Sequence, residues 1–202
     1  MTIKIMIAED QAMVRQALVA LLGLEADIEV VAQAATGDEA LAMAHKHQPD
    51  VAVLDIEMPG GTGIEVTRKL RQDGFGGRVV IVTTFGRPGY LRTAMSAGAS
   101  GFLLKDAPAA QLAEAIRRVF AGERVVDPTL AAAALAEGDS PLTGRETDVL
   151  AAAASHDAII DIAERLHLSP GTVRNHLSAA MHKLGARNRA EAVQMAQRKG
   201  WL

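Results

Sequence analysis

The chain has 202 residues, 49% hydrophobic and 22% charged, a balance that excludes a disordered chain and suits one full domain with a smaller second one. It holds no cysteine and only 3% aromatic residues. Disulfides, zinc–cysteine centres and thiol catalysis are thereby excluded, and a base-stacking single-strand binder is disfavoured. No apolar run approaches the roughly 20 residues of a membrane helix. The opening MTIKIMIAED reaches two acids by its tenth residue, unlike a secretory signal. A soluble, cytoplasmic protein without membrane contact is expected. The net charge of −3 is uneven: residues 141–202 carry eight Lys and Arg against six Asp and Glu, a net +2, and residues 1–140 carry thirteen against eighteen, a net −5. The first part suits a cation, and the second can approach a polyanion.

Over the first 120 residues short apolar runs alternate with helical periodicity. Ile3–Ala8 is a strand ending in Glu9-Asp10, and Val14, Leu18, Leu21 and Leu22 follow at helical spacing. Ile28–Ala32 is a strand, and Thr36-Gly-Asp-Glu39 has the capping-box form that opens a helix. Val51–Leu54 is a buried strand ending at Asp55, Met58-Pro-Gly-Gly61 a loop, and Ile64–Leu70 a helix. Val79–Val82 runs as a strand into Thr83-Thr84, Pro88–Ala97 as a helix, Gly101–Leu104 as a strand and Pro108–Phe120 as a helix. Five such units imply an α/β fold whose five-stranded parallel sheet is covered on both faces. From Gly122 the pattern changes: 128–137 is an Ala-rich helical connector, 137–141 a linker, and Thr143-x-x-Glu146 a second capping box that opens an all-helical tail. The domains expected are 1–121, a partly helical linker 122–140, and 141–202.

Ligands of an open parallel sheet bind beyond the carboxyl ends of its strands, where the strand order reverses. With the order 2-1-3-4-5, the first and third strands are neighbours, and Glu9, Asp10 and Asp55 converge. Three close carboxylates repel unless a cation sits among them, and an all-oxygen donor set suits Mg²⁺. Thr83 and Lys105 reach the same edge from the fourth and fifth strands. An Asp beside Mg²⁺, a hydroxyl and an ammonium is equipped for phosphoryl transfer through an aspartyl phosphate. Any one of these residues alone would read as a solvated loop residue; five at matched strand ends do not.

Glu9-Asp10, Asp55-Ile-Glu-Met-Pro-Gly60, Thr83 and Lys105 resemble the response-regulator receiver domain, over residues 3–121. The resemblance implies a flavodoxin-like fold and transfer of phosphate to Asp55 from a phosphohistidine on a sensor histidine kinase. It implies Mg²⁺ ligation by Asp10 and Asp55, by Glu9 through water and by the backbone carbonyl of Glu57. Thr83 would be the switch hydroxyl, Phe102 the switch aromatic that turns inward, and Lys105 the phosphate-binding ammonium. Glu9-Asp10 stands where two Asp are common, and Asp106 where Pro is common. A phosphate at Asp55 would draw Thr83 toward it, and Phe102 would fill the vacated space, a two-state element biased by a local charge.

In the tail, Asp157 can cap a short helix with Ile159, Ile162, Ala163 and Leu166 on one face, and His167-Leu168 is the turn. Ser169 is then an N-cap and Pro170 the first helical residue. The next helix buries Val173, Leu177, Ala180, Met181 and Leu184 and turns Asn175, Ser178, Ala179 and His182 outward, flanked by Thr172 and Arg174. Asn188-x-x-Glu191 caps a last helix. Two helices joined by a tight turn form a helix-turn-helix whose second helix can enter the major groove, where Arg reads guanine and Asn adenine; Lys183, Arg187 and Arg189 could hold phosphates. An amphipathic bundle with a solvated face is the alternative on pattern alone.

Leu142-Thr-Gly-Arg-Glu146, Ile162-Ala163, Leu168-Ser-Pro-Gly-Thr-Val-Arg-Asn175-His and Lys183-Leu184 resemble the LuxR-type DNA-binding domain over residues 140–202. With the receiver this defines the NarL/FixJ family. By motif position Arg174, Asn175 and Ser178 take the base-reading places and Lys183 a backbone contact. The segment before the scaffold helix departs from the usual Gly-x-Ser/Thr-Asn-x-Glu, reading His156-Asp-Ala-Ile-Ile-Asp161. Ala8-Glu-Asp-Gln11, Thr83-Thr-Phe-Gly-Arg-Pro-Gly-Tyr90 and Lys199-Gly-Trp201 are similar to the DesR-like branch. That branch implies a kinase of the DesK kind and control of membrane-lipid genes.

The expected protein is therefore a transcription regulator and not an enzyme. Phosphorylated at Asp55, it would form a homodimer and bind double-stranded DNA at paired half-sites. Either the first and fifth helices or the Pro88–Phe120 face would make the dimer. Competing classes are an Mg²⁺-dependent phosphatase with Asp55 and Glu57 as its acid pair, a protein-binding adaptor, and a flavin carrier on the same fold.

Overall fold

The computed structural model describes residues 2–84, 88–136, 140–154 and 158–202. The chain divides into two compact units, Met1–Gly86 with Ala94–Ala131, and Arg87–Thr93 with Ala132–Leu202.

The first unit is built on β1 (Ile3–Ala8), β2 (Ile28–Ala34), β3 (Val51–Leu54), β4 (Arg78–Thr83), β5 (Gly101–Leu104) and β6 (Val125–Val126), all parallel, in the order β2-β1-β3-β4-β5-β6. Successive side chains on a strand point to opposite faces. Ile3, Ile5, Ile7, Val51, Val53, Val80, Val82 and Leu103 form one core with Leu22 of α1 (Ala12–Leu22) and Leu112, Ile116 and Val119 of α5 (Ala109–Phe120). Their neighbours in sequence, Met6, Leu54, Ile81 and Phe102, are fully buried on the other face. There α2 (Gly37–His47) packs against α3 (Gly63–Gln72). A sheet covered on both faces demands continuous apolar strands, and Val51–Leu54 is buried at every position.

The sheet has six strands where five were expected. Val125 donates its N–H to Ser100 O at 3.0 Å, and Asp127 to Phe102 O at 3.2 Å. Two residues carry no legible alternation, but they satisfy backbone groups that β5 would otherwise leave open at the sheet edge. The strand lies in the segment expected to be linker, as does the connector helix α6 (Pro128–Ala136); residues 137–139 of the expected linker lie outside the described residues.

The caps expected at Thr36, Thr143, Ser169 and Asn188 are in place, and a box that was not expected forms at Thr62. Thr36 accepts the Glu39 N–H at 3.2 Å. Thr62 and Glu65 form a reciprocal box ahead of α3. Gly63 is required there, because a Cβ would collide with the Asp55 carbonyl oxygen. That close approach seats the start of α3 directly on the end of β3. The helix α4 spans Pro88–Ser96.

The second unit contains α7 (Gly144–Ala154), α8 (Ile159–Leu166), α9 (Pro170–Leu184) and α10 (Arg189–Lys199). Val149, Leu150, Ile162, Val173, Leu177, Ala180, Leu184, Ala192 and Ala196 form its core; Met181, expected inside, is only partly buried. Asp157 and His156 lie outside the described residues. Asp161 Oδ2 accepts the Ala158 N–H at 3.1 Å at the start of α8. His167 ends α8 in the left-handed conformation, φ 53°. Ser169 Oγ then accepts the Thr172 N–H at 3.1 Å to start α9. Among the described residues no helix is long and apolar enough to cross a membrane.

Candidate functional site

The strand register brings one set of residues to a single edge. Ala8 pairs with Leu54, and Thr83 with Leu104, so Glu9, Asp10, Asp55, Thr83 and Lys105 all emerge together. A cleft of about 210 Å³ opens among Asp10, Gln11, Asp55, Glu57, Thr83, Thr84 and Lys105. Glu9 and Asp55 are buried at 1% and 5% exposure. The Lys105 ammonium lies between them, 2.6 Å from Glu9 Oε2 and 3.1 Å from Asp55 Oδ2. The other Asp55 oxygen, Oδ1, accepts the Ile56 N–H at 2.8 Å, and Glu9 Oε1 accepts the Gln11 N–H at 3.2 Å.

Burial pushes the Glu9 carboxyl above the ordinary carboxylate value, against the pull of Lys105. For Lys105, burial works against the charge, but bonds to Glu9 and Asp55 outweigh it and hold the ammonium above its ordinary value. Carboxylate oxygens of Glu9, Asp10 and Asp55 all lie within 4.8 Å of one another, a group that could hold a metal ion. Glu9 Oε2 is buried, and its partner is the Lys105 ammonium. Three converging carboxylates with one ammonium among them leave net negative charge, and an oxygen-only cradle of this kind fits a hard divalent cation. Thr83 is 1% and Phe102 0% exposed. Because Ile81 pairs with Phe102 and Thr83 with Leu104, the Thr83 and Phe102 side chains leave the sheet on the same face.

In the second unit, α9 turns Arg174, Asn175, Ser178 and His182 to solvent, and Thr172 is half-buried with its hydroxyl 2.8 Å from Ser169 Oγ. Lys183 Nζ sits 2.7 Å from Glu146 Oε2, and Arg187 pairs with Glu191 at 3.0 Å. An exposed polar face on the second of two helices joined by a tight turn has the form and width to enter a major groove.

The response regulator receiver domain family matches residues 5–117, and the luxR family of bacterial regulatory proteins matches residues 140–196. The chain is 46% identical over 200 residues to the transcriptional regulatory protein DesR of Bacillus subtilis, covering 99% of each. It is 40% identical to the response regulator RamR of Streptomyces coelicolor, covering 98% of each. Among solved structures, the response regulator ChrA of a heme-sensing two-component system is similar at TM-score 0.59 and 34% identity, covering 100% of this chain and 99% of that one. The chain belongs to the NarL/LuxR family of response regulators. As a response regulator with a DNA-binding domain, it implies a kinase partner and DNA, and it is a regulator of transcription.

Two contacts of the response regulator went unforeseen. Arg15 Nη1 donates to the backbone carbonyls of Glu9 and, at 3.4 Å, Asp10, tying the acidic loop to α1. A basic residue one turn into α1 after a strand-end acid pair was the available signal. The second is the Glu146–Lys183 pair. Its members are 37 residues apart, and no local pattern joins them.

Proposed function

We propose that this regulator accepts phosphate on Asp55 from a phosphohistidine of a sensor histidine kinase and thereby controls its own DNA binding. The observation that carries the reading is Lys105, held between the buried carboxylates of Glu9 and Asp55 at the mouth of the cleft. An Asp55 oxygen forms the new O–P bond as the N–P bond to the donor imidazole breaks; the bonding pair stays on the imidazole nitrogen, which takes up a proton from solvent. Lys105 supplies positive charge for the phosphoryl oxygens, and Thr83 a hydroxyl at the same edge. Glu9, Asp10 and Asp55, with the Glu57 backbone carbonyl, would hold Mg²⁺, which supplies further charge neutralisation when bound. Once phosphate draws Thr83 toward Asp55, Phe102, on the same sheet face, is the group placed to follow.

Thr172, Arg174, Asn175, Ser178 and His182 are proposed to face the DNA, with Arg174 and Asn175 reading bases. The phosphorylated form is proposed to be a homodimer through α1. That helix exposes Met13 at 83% and Leu21 at 45%, with Leu24 just beyond it at 81%; the exposed Ala17 and Ala20 continue the stripe. Arg117 of α5 holds the following turn through Glu25 and Asp27, at 2.6 and 2.7 Å. A self-complementary apolar stripe suits a two-fold contact with a second copy. A kinase of the DesK kind, membrane-lipid genes as targets and a cytoplasmic setting belong to the same proposal, through the resemblance of the sequence to the DesR-like branch. The protein acts as a phosphoacceptor rather than by turnover of a small substrate. Turnover of a phosphoester would favour the phosphatase reading instead.

The test is labelling by a small acyl-phosphate donor, followed as a mass increase. Asp55→Asn is expected to abolish the increase; labelling at the wild-type level would reject the site.

A further inference from the structure

Lys183 stands in the last turn of α9, and Glu146 in the first turn of α7. Glu146 is 6% exposed, and its Oε2 accepts both the Thr143 N–H at 2.7 Å and the Lys183 ammonium at 2.7 Å. One carboxylate oxygen thus caps the start of α7 and holds the far end of the helix proposed to read DNA. At its other end α9 is fixed by the Ser169 cap. We infer that Glu146 and Lys183 clamp the recognition helix, and that Lys183 is a positioning residue rather than a phosphate contact.

The reason is electrostatic. To a DNA backbone several ångströms away, an ammonium 2.7 Å from a carboxylate is half of a neutral pair and releases no counterion. To reach a phosphate fully, Lys183 would have to abandon a buried carboxylate, leaving it uncompensated. The basic residue expected from motif position to grip the backbone is therefore spent within the domain, and the shape of the DNA-reading face depends on it.

The inference rests on the reading that the α9 face meets DNA, and the experiment separates the two. Binding of the full chain to a mixed-sequence duplex is followed by fluorescence anisotropy over a salt series, for the wild type, Glu146→Gln, and Glu146→Gln with Lys183→Met. Each phosphate contact adds about 0.9 to the slope of log K against log salt. The double variant, which leaves no buried charge unpaired, is expected to keep the wild-type slope. Glu146→Gln alone frees an ammonium and is expected to steepen the slope by about 0.9, an effect that loss of a merely structural bond would not give. On a duplex enriched from a random pool by the wild type, the double variant is expected to lose discrimination against mixed-sequence DNA. A slope that falls by about 0.9 in the double variant, or one unchanged in Glu146→Gln, overturns the inference and leaves the DNA-facing reading standing. A wild type that binds neither duplex overturns both.

Discussion

The Lys105 ammonium lies 3.1 Å from Asp55 Oδ2, nearer still to Glu9, and only about a tenth of its side chain is exposed. It supplies the positive charge that lets two buried carboxylates face one cleft. In Lys105→Met that charge is gone, and the unfolding free energy without divalent cation is expected to fall by about 3 kcal/mol, the usual penalty for breaking a buried pair from one side. Added Mg²⁺ should restore more stability to the variant than it adds to the wild type, because the freed carboxylates no longer share themselves with an ammonium. Urea melts with and without Mg²⁺ check this; equal Mg²⁺ responses would contradict it.

Arg174 is exposed on α9, where a guanidinium can bond a guanine edge with two hydrogen bonds. Arg174→Ala is expected to cost about 1–3 kcal/mol on specific DNA and to relax selectivity at one base position. Measured affinities that stay unchanged across a panel of duplexes would remove the residue from the base-reading set.

The helical unit should weaken in acid through Glu146. The Lys183 ammonium and the Thr143 N–H hold its carboxyl below the ordinary value. The folded state therefore binds this proton less readily than the unfolded state, whose Glu titrates near 4.3. The stabilisation is complete above that value and is lost as pH falls through the lower folded value. Circular-dichroism melts between about pH 5 and pH 2 should show a shallower acid decline for Glu146→Gln than for the wild type. Parallel curves would mean the carboxylate is not linked to folding.

Burying a leucine is worth about 1.5–3 kcal/mol, so a charge at Leu21 should be severe for a contact made through α1. Leu21→Glu is expected to raise the dimer dissociation constant by on the order of tenfold or more in protein activated with Mg²⁺ and beryllofluoride. Sedimentation velocity reads the result. A variant that dimerises like the wild type would move the contact to another face.

The acidic edge was legible because three kinds of information agreed on it. Apolar runs gave the strands, four of the five expected runs ended on a chemically distinct residue, and reversal of strand order at β1 and β3 brought Asp10 and Asp55 together. The caps at Thr36, Thr62, Ser169 and Asn188 were equally local, each a hydroxyl or amide oxygen accepting an N–H three residues on, although Thr62 had no place among the expected boxes. What escaped was short or distant. β6 is two valines long, too short for periodicity, and exists because β5 offers it partners. Arg15 acts through backbone carbonyls, which every residue has. Glu146 was read as a cap, which it is, but its bond to Lys183 depends on how α7 crosses α9.

The sixth strand has a mechanical side. Val126 stands opposite Phe102, and the Asp127 N–H is bonded to the Phe102 carbonyl. The chain that leaves the sheet toward the helical unit is thus stitched to the very residue whose ring is expected to move. A displacement of that backbone would reach the tether through the Asp127–Phe102 hydrogen bond itself, without first travelling through a layer of side chains.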